Sequence, residues 1–290
     1  MKKIGFIGIG VMGAPMAGHL LKAGYSVAVY ARRKEAADAL VSQGAEFCSS
    51  IAQCARGRDA VITMVGFPKD VEEVYFGEQG ILQNASTGTI LIDMTTTSPR
   101  LSRRVAQAAA KKGLCALDAP VSGGDVGARQ ATLSIMVGGD PAVYQACLPL
   151  FQAMGKQVVY EGPAGSGQHT KMANQIALGG AIAGVCEALA YGKRAGLDLP
   201  TMLQSISAGA AGSWQMSNMA PRMLVSDFAP GFFIKHYIKD MDIALQEAEG
   251  FGLHMQVLEE VRKMYVALAQ EGKENLGTQA LYQYYEQQEK

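Results

Sequence analysis

The chain has 290 residues, of which 49% are hydrophobic and 18% charged, a length and composition typical of two packed cores. Basic and acidic residues are equal at 26 each, so no net charge is present to attract nucleic acid or an anionic membrane. Five cysteines without paired or metal-like spacing predict neither a disulfide framework nor a metal site. The same cysteine usage fits a reducing cytoplasm. Glycines interrupt the apolar start MKKIGFIGIG, so we expect no signal peptide and no apolar span of membrane length.

Short apolar runs that favour β-strands alternate with helix-like stretches from Lys2 to about Glu161. The runs are KIGFIG, SVAVY, DAVITMV, TILIDM, CALDAP, LSIMVGG and QVVYEG. This alternation predicts an α/β fold with a largely parallel, doubly wound sheet. After Gly167 the strand signals stop, and the apolar pattern predicts only helices, over residues 168–195, 200–208, 213–225, 234–251 and 256–271.

Three glycines follow the first predicted strand at G-x-G-x-x-G spacing, namely Gly8, Gly10 and Gly13. The first allows a tight turn, the second lets the backbone approach a pyrophosphate, and the third permits close contact between helix and strand. The start of the next helix offers free amides to an anion. In this strand–turn–helix context we predict a dinucleotide site that includes Val11 and Met12. A glycine-rich turn without a ligand is the alternative.

The domain organisation follows from these patterns. We predict an N-terminal Rossmann dinucleotide-binding domain over residues 1–163 and an all-α C-terminal domain over residues 164–290, joined by a long helix. The balanced charge and the dinucleotide site together indicate a small-molecule substrate as the partner.

The end of the second predicted strand bears on the choice of cofactor. NAD sites usually carry an acidic residue about 20 positions after the glycine loop, where it holds the ribose hydroxyls. Here the strand is followed by Arg32 and Arg33, and no carboxylate appears before Glu35. Two guanidinium groups suit a ribose 2′-phosphate, so NADP is the preferred cofactor and NAD remains possible. Alternatively, both arginines are ordinary solvated charges of a loop.

Five motifs together resemble the β-hydroxyacid dehydrogenases, a family that includes 3-hydroxyisobutyrate dehydrogenase, tartronate semialdehyde reductase and the glyoxylate/succinic semialdehyde reductases. They are GFIGIGVMGAPMAGHL, DMTTTSP, DAPVSGGDVGA, GSGQHTKMANQ and KDMDIAL, and they span nearly the whole chain. The resemblance implies reversible hydride transfer between a short 3- or 4-hydroxyacid and its semialdehyde. It also implies a homodimer or homotetramer built by the helical domain, and close packing of helices would explain the glycines at positions 179, 180 and 184.

The resemblance also implies residue roles. It places Ser122, Gly123 and Gly124 at the substrate carboxylate, although SGG alone is more often a plain turn. It makes Thr96 a cofactor contact, with Ser98 and Pro99 starting the following helix. Lys239 would approach the nicotinamide; its sequence context alone favours a solvated helix face beside Asp240. Met64 and Val65 match the strand end near the cofactor, but Gly66 and Phe67 depart from the usual sequence there.

Lys171 is placed by the resemblance as the catalytic residue. Independently, reduction of an aldehyde requires a proton at the carbonyl oxygen, and no histidine or tyrosine stands at a comparably marked position. A lysine with the ordinary pKa of about 10.4 is protonated at neutral pH and can both polarise that oxygen and donate the proton. Asn174 and Gln175 follow it by three and four residues, on the same helix face, where an amide could hold the ammonium or a substrate hydroxyl.

Some positions depart from the family pattern or stay open. Part of the family carries asparagine four residues after the lysine, where this chain has Gln175, so both amides are candidates. Ala131 stands where glycine is common and is given only a backbone role. His169 is expected to make a structural or subunit contact. Trp214 and Phe232 are candidates for the substrate pocket, and Trp214 is equally consistent with a core position.

The sequence thus predicts an NADP-preferring oxidoreductase that acts on short carboxylated semialdehydes and their hydroxyacids. One alternative is a non-catalytic dinucleotide-binding or interaction module, because a fold does not by itself fix a function. Another is a relative of the imine reductases or of the 6-phosphogluconate dehydrogenases. Imine reductases typically lack a lysine at this position, and 6-phosphogluconate dehydrogenases are much longer.

Overall fold

The computed structural model describes residues 1–287 and divides into two compact units, Met1–Lys171 and Met172–Lys290. The division falls within one continuous helix, whereas the sequence placed the boundary between residues 163 and 164. The last three residues of the predicted helical domain lie outside the described part.

The first unit contains a mixed sheet with nine strands among the described residues. They are β1 Lys3–Ile7, β2 Ser26–Tyr30, β3 Glu46–Phe47, β4 Ala60–Thr63, β5 Ile90–Asp93, β6 Cys115–Asp118, β7 Val121–Ser122, β8 Leu133–Gly138 and β9 Gly155–Gly162. Their order is β3-β2-β1-β4-β5-β6-β8-β7, with β9 paired to β8. The first six in this order pair in parallel, β8 is antiparallel to β6 and β7, and β9 is parallel to β8. The seven predicted strands are confirmed; the two-residue strands β3 and β7 are too short for an apolar pattern to reveal.

Helices flank this sheet. They are α1 Gly13–Lys22, α2 Asp38–Val41, α3 Ile51–Ala55, α4 Pro68–Phe76, α5 Ile81–Asn84, α6 Pro99–Ala110, α7 Gly124–Gln130 and α8 Pro141–Gln152, with a 3₁₀ helix at Lys34–Ala37. The start of α6 is as predicted: the Ser98 hydroxyl accepts a hydrogen bond from the Leu101 amide, and Pro99 is the first helical residue. Ala131 ends α7 in the left-handed conformation, with φ 54°, which explains why glycine suits this position.

Alternate residues of the central strands enter two separate apolar cores, one on each face of the sheet. Ile4, Phe6 and Ile62 belong to one core, and Ile7 and Val61 to the other. Each such side chain is fully buried and stabilises the fold by roughly 1.5–3 kcal/mol relative to leaving it exposed. A sheet covered on both faces explains why its strands read as almost continuous apolar runs.

The second unit is helical. The long helix α9 Ser166–Arg194 begins in the first unit and continues into the second. It is followed by α10 Leu199–Ser207, α11 Trp214–Asn218, α12 Ala220–Leu224, α13 Ile234–Gly250, α14 Gln256–Gln270, a 3₁₀ helix at Thr278–Leu281 and α15 Tyr282–Glu286. The predicted helix over residues 213–225 is two short helices instead. Pro221, in the first turn of α12, has no amide to donate to the preceding turn, so α11 cannot continue through it.

The core of the second unit contains an aromatic pair. The rings of Tyr237 and Tyr265 meet edge to face with centroids 5.2 Å apart, and both side chains are fully buried. A Cβ at Gly179 would lie only 2.7 Å from the Tyr237 hydroxyl oxygen, so the predicted close packing is confirmed at this glycine. Gly184 has open space at its Cβ position, and within the described residues no close contact explains it.

By length and composition α9 is able to cross a membrane, since its most apolar 18-residue window has a mean hydropathy of 1.2. The expectation that no apolar span reaches membrane length is therefore wrong on this criterion. However, 44% of that window is buried inside the folded chain, and a buried core helix passes the same test. The finding is weak evidence for a membrane span.

Candidate active site

The glycine loop lies between β1 and α1, at the carboxyl end of β1 where the sheet order reverses. Gly8 has φ +101°, and a Cβ there would overlap the carbonyl oxygen of Met64 at the end of β4. A Cβ at Gly13 would overlap the Gly8 carbonyl oxygen. Gly10 is exposed and has nothing within 4 Å of its Cβ position. Two glycines thus hold the loop against the sheet, and the third leaves the outer side of the backbone open.

The residues that follow β4 and β5 are joined by hydrogen bonds. The Val65 amide donates to the Thr95 hydroxyl at 3.0 Å, and the Thr63 hydroxyl donates to the Asp93 carboxylate at 2.8 Å. The Thr95 amide donates to the same carboxylate oxygen at 3.1 Å. These bonds hold Thr95 at the sheet edge beside the glycine loop. The next residue, Thr96, is the predicted cofactor contact.

Asp93 is a buried acid within this network. Burial raises its pKa from the ordinary value to about 6, although the hydrogen bonds from Thr63 and Thr95 oppose the shift. The folded chain therefore binds a proton more readily than the unfolded chain does. Because of this, the free energy of unfolding falls as pH rises from about 4 to about 6, and above that range Asp93 stays charged at a net cost.

Replacing Asp93 with asparagine should increase stability at neutral pH. The amide oxygen can still accept from Thr63 and Thr95, and the buried charge is removed. A shift of this size corresponds to an increase of about 1–3 kcal/mol in the free energy of unfolding at pH 7, shrinking towards zero near pH 4. Urea denaturation of both proteins between pH 4 and pH 8 measures this difference. Asp38→Asn, on the exposed start of α2, is the control; a gain at Asp93 that stays constant across this pH range would contradict the charge as its cause.

The segment Ser122–Gly124 forms the turn between β7 and α7. Gly123 and Gly124 have φ values of +128° and +62°, conformations that favour glycine. Ser122 is half-buried and pairs in register with Ser134 of β8. The turn thus carries a serine hydroxyl followed by two consecutive glycine amides in a tightly curved backbone, a combination that can bind an anion.

Buried polar groups form hydrogen bonds between the first turn of α9 and the sheet. The Asp118 carboxylate, at the end of β6, accepts hydrogen bonds from the amides of Gly165 at 2.7 Å and Gln168 at 2.9 Å. The Gln168 side-chain amide donates to the Thr95 carbonyl at 2.7 Å and accepts from the Thr97 amide at 3.0 Å. The start of α9 is thereby attached to the carboxyl ends of both β5 and β6.

Lys171 lies one helical turn after Gln168 and is buried, with 7% of its surface exposed. It is the last residue of the first unit, so this lysine belongs with the dinucleotide-binding sheet. His169 is 3.2 Å from the Arg103 guanidinium, measured between Nε2 and Nη1, in agreement with the predicted structural contact.

The amides that follow Lys171 take part in a polar chain within the second unit. The Asn174 side chain donates to the Gln175 side-chain oxygen at 2.8 Å, and the Gln175 amide group donates to the Asp240 carboxylate at 2.5 Å. The Lys239 ammonium is 2.8 Å from the other Asp240 oxygen, and only 12% of the Lys239 side chain is exposed. The solvated helix face considered for Lys239 is therefore excluded. The separate roles of Asn174 and Gln175 remain predictions.

The two candidate pocket residues differ in their surroundings. Trp214 begins α11 and is 59% exposed, which excludes a core position. Phe232 is half-buried and packs against the Tyr237 ring with centroids 5.5 Å apart.

The two arginines after β2 are exposed. Of these two arginines, only Arg32 lies near an acidic residue among the described residues. Its guanidinium is 3.9 Å from the Asp70 carboxylate, and 86% of its side chain is exposed. An ion pair this long and this exposed contributes little to stability. Both guanidinium groups are therefore accessible to a ligand at the end of β2.

The predicted site residues are divided between the two units. The first unit contains the glycine loop, Met64, Val65, Thr96, the Ser122–Gly124 turn and Lys171, and the second contains Asn174, Gln175, Trp214, Phe232 and Lys239.

Sequence reasoning missed Asp118 and Gln168. A signal was present, since both are polar residues inside otherwise apolar or glycine-rich motifs. Within residues 1–287, no group of three or more histidine, cysteine or acidic residues could hold a metal ion.

Two family models cover nearly the whole chain. Residues 3–162 match the NAD-binding domain of 6-phosphogluconate dehydrogenase, and residues 165–285 match the NAD-binding domain of NADP-dependent 3-hydroxyisobutyrate dehydrogenase. The chain belongs to the β-hydroxyacid dehydrogenase family. It is an oxidoreductase of the type that acts on CH–OH donors, and it binds a nicotinamide dinucleotide.

Individual proteins align with this chain over almost their full length. The uncharacterized oxidoreductase YkwC of Bacillus subtilis is 54% identical, covering 97% of this chain and 98% of its own. The 2-hydroxy-3-oxopropionate reductase of Escherichia coli is 39% identical, covering 97% of this chain and 96% of its own. The structure of Mycobacterium tuberculosis 3-hydroxyisobutyrate dehydrogenase with L-serine superposes with a TM-score of 0.89 at 29% identity, covering 98% of both chains.

Proposed function

We propose that the protein catalyses reversible hydride transfer between NADP(H) and a short carboxylated semialdehyde or its 3- or 4-hydroxyacid. One observation carries this proposal: a buried lysine lies on a helix that is hydrogen-bonded to the same sheet edge as the glycine loop. A lysine held in this way is suited to proton transfer beside a bound dinucleotide. The similarity to a 2-hydroxy-3-oxopropionate reductase and to a hydroxyacid dehydrogenase with bound L-serine supports the substrate class.

The glycine loop fits a dinucleotide. The outer side of the loop is open at Gly10, so a pyrophosphate can approach the backbone there. Pro15 has no amide hydrogen, and the Ala14 and Met16 amides donate to the Gly10 and Met12 carbonyls, so the proposed approach is to the loop. Val11 and Met12 in the same loop, with Met64, Val65 and Thr96 at the neighbouring strand ends, complete the proposed contacts in the first unit. Lys239 is the proposed contact from the second unit. When bound, the cofactor supplies the hydride for reduction or accepts it in oxidation.

The substrate is held and protonated by residues of this chain. The Ser122 hydroxyl and the Gly123 and Gly124 amides bind the carboxylate, and protonated Lys171 donates to the carbonyl oxygen as the alcohol forms. In the reverse direction neutral Lys171 accepts the hydroxyl proton, so oxidation should become faster as pH rises. Asn174 and Gln175 orient the substrate oxygen or the ammonium, and Trp214 and Phe232 supply apolar surface to the pocket.

A substrate panel tests the reaction class. Purified protein is supplied with NADPH or NADH and with glyoxylate, tartronate semialdehyde, methylmalonate semialdehyde or succinic semialdehyde, and loss of nicotinamide absorbance is followed. Turnover of one or more of these aldehydes is expected. Tight NADPH binding without turnover of any of them would overturn the proposal and favour the alternative of a non-catalytic dinucleotide-binding module.

We expect NADP to be preferred because Arg32 and Arg33 are both exposed at the end of β2. The matching family model of NADP-dependent enzymes supports this expectation. A charge-assisted hydrogen bond to the 2′-phosphate is worth about 1.5–3 kcal/mol, so Arg32→Ala should raise the KM for NADPH by about 10- to 100-fold. The KM for NADH should change little, since NADH lacks that phosphate.

Arg56→Ala is the matched control for this prediction. Arg56 is also exposed, but it lies just before β4, at the amino end of the strands, and its guanidinium donates to Asn84. Neither KM should change in this variant. If wild-type protein prefers NADH, or if Arg32→Ala and Arg33→Ala leave the ratio of the two KM values unaltered, the preference for NADP is wrong.

We also propose a homodimer or homotetramer formed by the helical unit, in the cytoplasm. Three large apolar side chains of that unit, Tyr191, Val225 and Phe251, are 74%, 75% and 69% exposed, and burial of such side chains favours association. Sedimentation equilibrium of the purified protein measures the oligomeric state, and cell fractionation measures the location.

A further inference from the structure

The side chain of Gln168 bridges two parts of the proposed site. Its amide group donates to the Thr95 carbonyl at 2.7 Å, and its oxygen accepts from the Thr97 amide at 3.0 Å. Thr95 and Thr97 are the residues on either side of Thr96. One fully buried side chain on α9 therefore fixes both peptide groups that flank the proposed cofactor contact.

The backbone at Gln168 is held equally firmly. Its amide donates to the Asp118 carboxylate at 2.9 Å, and that carboxylate also caps Gly165. The helix can come this close because Gly167 and Gly138 have no side chains: a Cβ at Gly138 would lie 2.8 Å from the Gly167 amide nitrogen, and a Cβ at Gly167 would overlap the Met136 carbonyl oxygen. The position of Gln168 relative to β5 and β6 is thus determined at both backbone and side chain.

We propose that Gln168 is a positioning residue that holds Lys171 and the Thr96 segment in one fixed arrangement. Lys171 is three residues further along the same helix, one turn away, so a movement of Gln168 moves the base of the lysine side chain. The same movement releases the peptide groups around Thr96. This inference rests on the proposed function, because it assigns Lys171 and Thr96 their catalytic and cofactor roles.

A neutral side chain that carries both a donor and an acceptor meets the requirement at this position. The Thr95 carbonyl needs a donor and the Thr97 amide needs an acceptor, and glutamine supplies both from one planar group. Methionine has nearly the same length but supplies no donor and only a weak acceptor. A carboxylate supplies acceptors only, and it becomes a donor when it is protonated.

The first test compares two buried glutamines. Gln168→Met should lower kcat by about 10- to 100-fold, because a displacement of the order of 1 Å at a reacting group has an effect of this size. Gln279→Met is the control, since Gln279 is also fully buried and its amide donates to the carbonyls of Asp227 and Ala229 within the helical unit. The control should lose stability but keep its kcat within about twofold. An unchanged kcat in folded Gln168→Met protein, or an equal loss in both variants, would overturn the proposal.

The second test uses pH to restore the missing donor. Gln168→Glu should be slow at neutral pH and should recover as pH falls, because the introduced carboxyl can donate to the Thr95 carbonyl only when it is protonated. The acidic residues at the ends of β5 and β6 are Asp93 and Asp118. The basic residues are Arg100, Arg103 and Arg104 on α6, and His169 and Lys171 in the first two turns of α9. Reduction by wild-type protein should show no such recovery, since its glutamine does not titrate. A parallel pH profile in variant and wild type would contradict the donor role.

A third measurement is independent of turnover. In hydrogen–deuterium exchange of the protein without ligands, Gln168→Met should accelerate exchange in both segments 93–98 and 165–171, whereas Gln279→Met should accelerate exchange in neither. Acceleration in only one segment, or in neither, would overturn the coupling. If wild-type protein reduces none of the aldehydes, the proposed function fails, and this exchange result still decides whether Gln168 joins the two segments.

Discussion

Lys171→Ala should lower kcat for aldehyde reduction by at least about 100-fold, the usual effect of removing a positioned general acid. The affinity for NADPH, measured by the change in nicotinamide fluorescence, should change little because the glycine loop and the strand ends are untouched. No other residue in the proposed catalytic set has an ammonium group on the dinucleotide-binding unit, so water would have to supply the proton.

Two further substitutions at Lys171 distinguish the effect of its positive charge on the carbonyl from its role as the proton donor. Lys171→Met keeps the length of the side chain and removes both, so it should be as slow as the alanine variant. Lys171→Arg keeps a positive charge that polarises the carbonyl, but a guanidinium does not give up its proton at accessible pH. We therefore expect the arginine variant to be much slower than wild type in both directions at every pH. Any activity above that of the methionine variant then measures polarisation of the carbonyl by the charge alone.

Lys263→Ala is the control for these variants. Lys263 lies on the surface of α14, where it pairs with Glu260 and its side chain is 65% exposed, so its removal should leave both directions of the reaction unchanged. A folded Lys171→Ala protein with nearly wild-type kcat would show that another group donates the proton. The role assigned to Lys171 would then be wrong even if the substrate class is correct.

The second large effect is expected at the glycine loop, where replacement of Gly13 should lower the stability of the fold and replacement of Gly10 should weaken only the binding of NADPH. Gly13→Ala places a methyl group on the Gly8 carbonyl oxygen, and this rigid backbone atom cannot move aside. The variant should lose about 2–4 kcal/mol of stability and should not bind NADPH. Gly10→Ala meets no atom of the chain within 4 Å, so its stability should stay within about 0.5 kcal/mol of wild type.

Gly10→Ala should nevertheless weaken NADPH binding by about 10- to 100-fold, because its methyl group occupies the side of the loop that the pyrophosphate must approach. Urea denaturation measures the stability of each variant, and fluorescence titration measures its affinity for NADPH. If Gly10→Ala binds NADPH as tightly as wild type, the pyrophosphate does not lie at this side of the loop. If Gly13→Ala is as stable as wild type, the loop is more adaptable than its contacts indicate.

Much of the site was predictable because its determinants are close together in sequence. The three glycines, the preceding strand and the following helix occupy a short stretch, so the spacing in this context predicts the turn and a dinucleotide as its ligand. The start of α6 at Ser98 and Pro99 was predictable for the same reason, since a cap and a proline act within one turn. The helix over residues 213–225 was predicted wrongly, although its break at Pro221 is also a local effect.

The hydrogen bonds of Gln168 were not predictable in this way. Its partners Thr95 and Thr97 are 73 and 71 residues away along the chain, and Asp118 is 50 residues away from the amide that it caps. Only the parallel pairing of β5 with β6 and the close approach permitted by Gly138 and Gly167 bring these groups together. The same contacts place Lys171 with the first unit, beyond the boundary at which the strand pattern ends.

By itself, the amino-acid sequence determined seven of the strands, most of the longer helices of the second unit, the turn after β1 and the family of this protein, because these depend on residue patterns and short motifs. The tertiary structure alone decided that Asp93 is a buried acid, that Lys239 pairs with Asp240 away from solvent, and that Gln168 joins the lysine helix to the Thr96 segment. The physical reason is that burial and long-range hydrogen bonds depend on which elements pack together, and side-chain periodicity records only which face of an element is apolar.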